Sequence, residues 1–309
     1  GDDLDTYRAQ RERASAEGIP TIEDMALEYD RLYRQVQAKR RAFKPPHQCP
    51  NPSSSPERIR RVAVLPQRDP SGAAISSSYI RLLLPLAHNV ARGATEAVIT
   101  AYPDLFESEA TYDAIVVQRT AIPEHQATPF VAACRERDIP YLMDIDDDLT
   151  ALSETHIEDA FYENAAQDLN TMLAHATTVI ASTPILAARL QTTNDRTSII
   201  PNMLDERVWF APLANTASRT RDYDGVGLLY MGTETHSADL QILRHALKLL
   251  EEKHLPIEVK LFVIGGEPIQ NDQDWYTRVD VPLDHRAYPE FVSWLRSYQG
   301  YWDIGLAPL

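Results

Sequence analysis

The sequence predicts an α/β protein of two doubly wound, Rossmann-like parallel-sheet domains behind an N-terminal helical segment. From Arg60 onward, short β-branched runs alternate with stretches of helical periodicity, the pattern of a parallel sheet with crossover helices. The rhythm breaks between Pro201 and Asp224 and then resumes. A chain of 309 residues with 44% hydrophobic composition has enough apolar side chains for two cores. These observations divide the chain into a helical segment at 1–44, a Pro/Ser linker at 45–59, a first domain at 60–205 and a second at 225–309.

In the first segment, Ile22, Met25, Ala26, Tyr29, Leu32, Tyr33 and Val36 recur at helical spacing, and Lys39-Arg40-Arg41 suits a helix C-terminus. The apolar stripe packs against the body or a neighbouring module, or lies on a membrane surface. In the first domain, strands are expected near Val62–Leu65, Ala97–Thr100, Asp113–Val117, Tyr141–Ile145, Thr178–Ala181 and Ser198–Ile200. Helices are expected near Ser77–Ala91, Ala127–Arg137, His156–Ala176 and Pro184–Gln191. The second series gives strands near Gly227–Met231, Glu258–Ile264, Arg278–Val281 and Asp303–Leu306, with helices at Ser237–Lys253 and Tyr288–Tyr298. Leu240, Leu243, Leu247 and Leu250 form a buried stripe, Ser237 is the N-cap candidate and Pro256 lies just past the end.

Composition narrows function. The formal charge is -15, while residues 1–44 hold nine acids and nine bases, so the acidic surplus lies in the remainder. A nucleic-acid surface needs the opposite footprint, and none is expected. Two cysteines, Cys49 and Cys134, support neither a disulfide framework nor a zinc knuckle and suit a cytoplasm. No apolar run has the length of a bilayer span, so membrane contact would be peripheral, on the inner face.

The segment from Leu228 to Gly266 reads as strand, glycine turn, helix, strand. It aims a helix N-terminus at the carboxyl edge of a parallel sheet, where phosphate groups bind. A nucleotide or nucleotide sugar is therefore the first ligand to test. Gly232 either contacts phosphate or permits a tight turn. Gly265-Gly266 has the same two readings. His236 would open the helix as a neutral donor beside the diphosphate.

In the first domain, the loop from Asp69 to Ser78 places Gly72 and Ala73 where a backbone can approach a ligand. It lacks the Gly-Lys-Ser/Thr of a phosphate-cradling loop. Arg81 and Arg119 are cations near strand ends, in salt bridges or on substrate. Asp144, Asp146, Asp147 and Asp148 crowd one strand end. They must bind a cation, pair with bases or share protons. The reading taken here has no metal, with Asp146 or Asp147 facing acceptor hydroxyls and a general-base role open.

Several segments in order, Ser78-Tyr-Ile-Arg-Leu-Leu-Leu-Pro85, Tyr112-Asp-Ala-Ile-Val-Val-Gln-Arg119, Tyr141-Leu-Met-Asp-Ile-Asp-Asp-Asp-Leu149, Val179-Ile-Ala-Ser-Thr-Pro184, Met231-Gly-Thr233 and Tyr301-Trp-Asp-Ile-Gly-Leu-Ala-Pro-Leu309, resemble the GT-B glycosyltransferases of the family 4, glycosyl transferase group 1, branch. The resemblance implies two lobes facing across a cleft and transfer of a sugar from a nucleotide-diphosphate donor to a hydroxyl of a glycan or lipid-linked acceptor. It further implies retention of configuration, no cofactor and a bacterial role in polysaccharide biosynthesis. Gly232 and Thr233 would meet the diphosphate and Leu283 the base, with Gly72, Ala73, Arg81 and Arg119 on the acceptor side and Asp146, Asp147 and His236 as catalytic candidates. Where many relatives place Arg and Lys after the glycine, this chain carries Thr233, Thr235 and His236. The sequence stops before the family's downstream Lys and paired glutamates, so the donor domain is expected to be incomplete and part of a longer polypeptide. The alternative is a non-catalytic binding or scaffolding module.

Overall fold

A computed structural model describes residues 21–42, 60–107, 110–149, 159–210, 220–232, 237–253, 258–265, 275–298 and 300–307. Two compact units divide the chain, one ending at Phe210 and one running from Ala211 to Leu309. Both are parallel α/β units, a six-stranded and a four-stranded sheet.

The first unit opens with α1, Ile22–Ala42. Its start is fixed by a reciprocal box: the amide and hydroxyl of Thr21 donate to the Asp24 carboxylate at 2.7 and 2.8 Å, and the Asp24 amide donates to the Thr21 hydroxyl at 3.3 Å. The expected stripe is buried, from Ile22 through Met25, Tyr29, Leu32 and Tyr33 to Val36, against one face of the sheet at Val62, Val64, Val116, Leu142 and Ile180. Six such side chains contribute on the order of 10 kcal/mol of gross burial before entropy. This stripe is therefore core, and α1 cannot use it to lie on a membrane.

The sheet strands are β1 (Arg60–Leu65), β2 (Thr95–Ile99), β3 (Ala114–Gln118), β4 (Tyr141–Ile145), β5 (Thr178–Ala181) and β6 (Thr197–Ile199). Their order is β2-β1-β3-β4-β5-β6 and every pairing is parallel. β3, β4 and β5 are buried along their whole length, as expected of apolar runs in a sheet covered on both faces. The second face packs on α3 (Ala127–Glu136), α4 (Asp159–His175) and α5 (Pro184–Leu190), through Phe130, Leu169, Met172, Leu173 and Leu186. The Pro201–Asp224 connection begins within this unit and carries a short helix, α6, Glu206–Trp209.

The helix after β1, here α2, runs from Ser76 to Ala91 with a π-helical stretch at Tyr79–Leu83. The amide of Leu84 donates to the Tyr79 carbonyl, five residues back. Pro85 follows and has no N–H for the Arg81 carbonyl four residues before it, which would clash with its ring in a regular helix. The wide turn relieves that clash, and Arg81 lies within it.

The second unit contains β7 (Val226–Gly232), α7 (Ser237–Glu252), β8 (Val259–Gly265), β9 (Thr277–Val279), α8 (Tyr288–Arg296) and β10 (Ile304–Leu306). The order is β10-β7-β8-β9, all parallel. Leu240, Leu243 and Leu247 of α7 pack on Leu228, Tyr230, Leu261 and Val263. On the other face, Phe262 packs with the rings of Tyr223, Tyr301 and Trp302, and Trp302 stacks on Tyr298 at 4.8 Å. Among the described residues, no helix is long and apolar enough to cross a membrane.

Candidate functional site

In doubly wound sheets, ligands gather outside the carboxyl ends of the strands, where the strand order reverses. The six-stranded sheet reverses between β1 and β3. The chain leaves β1 through Gln67 and a loop closed by a bridge between Arg68 and Ala74. Asp69 organises this loop: its carboxylate accepts from the amides of Ser71 and Ala73 at 2.8 and 3.1 Å, and from the Ser71 hydroxyl at 2.6 Å. These donors hold the exposed Asp69 carboxyl below its usual range, the Ser71 hydroxyl first among them. The Gly72 amide donates to the Asp69 carbonyl at 2.9 Å, and the Gly72 carbonyl accepts from Arg68 at 2.8 Å. Gly72 and Ala73, expected to offer their backbone to an acceptor, thus have their amides turned inward. Gly72, with φ 86°, is what lets the loop close.

Gln118, fully buried at the end of β3, clamps this edge. Its side-chain oxygen accepts from the Gln67 amide at 3.1 Å and from the Ser78 hydroxyl, and its nitrogen donates to the Ser77 hydroxyl at 3.2 Å. The first amides of α2 lack intrahelical acceptors by geometry, and Ile75 at the cap position supplies no side-chain bond. The side-chain oxygen of Gln67 is buried without a partner among the described residues, an acceptor that calls for a donor. Sequence reasoning missed Gln67, Ser77 and Gln118. The signal was the polar residue ending the otherwise apolar strand Ala114-Ile-Val-Val-Gln118.

Arg81, expected on the acceptor side, is fully buried. Its Nε donates to Asp144 at 3.1 Å and Nη1 to the Asn202 side chain at 3.1 Å, and it also reaches the Ile200 carbonyl. The Tyr29 hydroxyl of α1 donates to the same carboxylate at 2.8 Å. Burial raises the Tyr29 phenol well above its ordinary pKa, so it stays a donor. Arg81 therefore joins the N-terminal helix to β4, and a ligand has no access to it here. The other aspartates also have basic partners: Arg119 bonds to both Asp146 and Asp147, and Arg189 to Asp148. Of the two aspartates held by Arg119, Asp146 is nearly buried and Asp147 is 63% exposed at its side chain. Arg119 has φ 44°, a left-handed backbone that costs a non-glycine residue about 1–3 kcal/mol. Among the described residues, no three His, Cys, Asp or Glu side chains are grouped to hold a metal ion.

The four-stranded sheet reverses between β7 and β10. Gly232 ends β7 as an in-register neighbour of Gly265, which ends β8. Gly265 has φ 78°, so the turn itself demands glycine there. At Gly232 the constraint is space: a Cβ would lie 2.5 Å from the Tyr230 hydroxyl, and the Tyr230 ring would have to shift to admit it. That hydroxyl donates to Asp239, in the first turn of α7, at 3.4 Å. Burial, with Asp239 beside it, pushes the Tyr230 phenol up to about 12. Asp239 offsets the positive end of α7 that an anion would feel. Leu283, expected beside a base, is 78% exposed. Thr233, His236 and Gly266 lie outside the described residues.

No family model and no curated protein matches the chain. Among solved structures, it is similar to an alpha-glucosyltransferase in complex with UDP and a 13-mer DNA containing a HMU base, at 10% identity over 69% of this chain and 58% of the other, with TM-score 0.44. It is also similar to Phytolacca americana UGT2 complexed with UDP-2fluoro-glucose and pterostilbene, at 9% identity over 81% of this chain and 80% of the other, with TM-score 0.32. The chain thus spans little more than half the length of the first of these proteins. At such scores neither likeness carries an argument about activity.

Proposed function

We propose that this chain is a glycosyltransferase of GT-B type, moving a sugar from a nucleotide-diphosphate donor to a hydroxyl of a glycan or lipid-linked acceptor, with retention and without a metal. The observation that carries the reading is the strand order of the second unit. The order β10-β7-β8-β9 sets the end of β7 at a topological switch point, where such sheets bind nucleotides, and β7 leads into the N-terminus of α7. The leaving diphosphate gains negative charge as the sugar bond breaks, and the free amides at the start of α7 are suited to stabilise it, against the opposing charge of Asp239. In the first unit, the exposed carboxylate of Asp147 is an acceptor for sugar hydroxyls. The segments that resemble the family 4 branch support the same assignment, together with a place in polysaccharide synthesis at the cytoplasmic face of a membrane.

Titration calorimetry with UDP, GDP, CDP and dTDP, with and without magnesium, tests this reading. One diphosphate is expected to bind in the micromolar range without magnesium, a free energy of about -8 kcal/mol. Absence of binding by all four favours the second reading, a scaffolding module. That reading is favoured by the acceptor-side groups already satisfied within the fold: Gly72 and Ala73 by Asp69, and Arg81 by Asp144.

A further inference from the structure

A cavity of about 200 Å³ opens beside Arg119, between the loop after β3, the start of α3 and the side of α4. Its floor is apolar: Ile122, Ala127, Leu169 and Met172 are each at most 8% exposed. An apolar cavity of about 150 Å³ is enough to hold benzene, so this one has room for a six-membered ring and a short substituent. Met172 offers a thioether, which packs well on aromatic edges.

The rim has a different character. Glu124 and Asp168 both line it, while the guanidinium of Arg119 bonds to Asp146 and Asp147. The loop that forms the rim holds two non-glycine residues in left-handed conformation, Arg119 at φ 44° and His125 at φ 63°. Such strained positions concentrate at ligand clamps. The His125 amide donates to the Asp168 carboxylate and ties this loop to α4. The cavity thus combines an apolar floor for one ring with two carboxylates, Glu124 and Asp168, and one cation, Arg119, whose charge is met by Asp146 and Asp147.

We propose that this cavity binds a small aromatic ring carrying a protonated amine, with the ring on Met172 and Leu169 and the ammonium at Glu124 and Asp168. The cavity shares Arg119 with the proposed acceptor side, but it needs no nucleotide and stands whether or not the chain binds one.

The test uses the full chain with three probes of similar size, benzylamine, benzyl alcohol and benzoate, followed by calorimetry or ligand-observed NMR. Benzylamine is expected to bind saturably at one site, benzyl alcohol about tenfold more weakly and benzoate not at all. Met172→Trp fills the floor and should abolish benzylamine binding. Glu124→Gln, an exposed change that leaves the core intact, should weaken it about threefold, the size expected for a solvent-accessible charge contact. Equal binding of benzylamine and benzoate, or no saturable binding of benzylamine, overturns the proposal. So does full affinity in Glu124→Gln when Met172→Trp either retains binding or fails to fold.

Discussion

The carboxyl edges of the two sheets are built from different materials. In the six-stranded sheet the edge is a set of side-chain pairs: Arg81 with Asp144, Arg119 with Asp146 and Asp147, Arg189 with Asp148, and Gln118 gripping the ends of β1 and α2. In the four-stranded sheet the edge is largely backbone, with Gly232 and Gly265 side by side and one long phenol-to-carboxylate bond from Tyr230 to Asp239. A side-chain edge is fixed by partners distant in sequence and fails when one partner is removed. A glycine edge is fixed by backbone conformation at Gly265 and, at Gly232, by the Tyr230 hydroxyl that takes the space of a Cβ. Under the proposed function, the first would position hydroxyls and the second would receive a phosphate.

The sharpest way to break this comparison is Asp144→Ala. It leaves the Arg81 guanidinium buried without its carboxylate, a change that costs about 3–5 kcal/mol. Against a total of roughly 5–15 kcal/mol, that is a large fraction of the stability, and urea denaturation should show it. A loss below about 1 kcal/mol would mean that the pair does not tie α1 and α2 to β4.

A smaller effect comes from His88, on α2. Burial lowers its pKa below the ordinary 6.5, the positive charge of Arg207 adds to the effect, and its Nε2 is buried without a partner among the described residues. Because the folded value is depressed, the unfolded chain binds the proton more readily. The neutral-histidine contribution is therefore complete above 6.5 and declines as pH falls from there towards the folded value. Melting temperature measured across this window should rise with pH, and His88→Gln should flatten the rise. An unchanged slope in the variant would assign the pH dependence to other groups.

Much of the architecture was legible because it rests on local periodicity. The seven apolar positions of α1 and the boundaries of β4 and β5 follow from local pattern alone. The candidate site was harder to read because its chemistry is non-local. Arg81 looks like a cation at a strand end until its partner Asp144, 63 residues on, is brought against it, and Tyr29 lies 115 residues from that same aspartate. Pro85 was the available clue that the helix around Arg81 departs from regular geometry. Gly72 and Ala73 read as open backbone because small residues signal approach, whereas the carboxylate of Asp69, a few residues earlier, already takes those turns' donors. At Gly232 two explanations competed, turn and ligand. The spatial reason is a third, the Tyr230 hydroxyl, which alternates to the same region two residues before it.

The proposed function requires that the switch point of the second unit receive a nucleotide diphosphate. The most direct measurement is a titration of the isotope-labelled chain with UDP, GDP, CDP and dTDP, followed through backbone amide shifts. With one of them, the account predicts saturable shifts at Gly232 and Gly265 and in the first turn of α7. Shifts confined to the six-stranded unit, or none with any of the four, would contradict it.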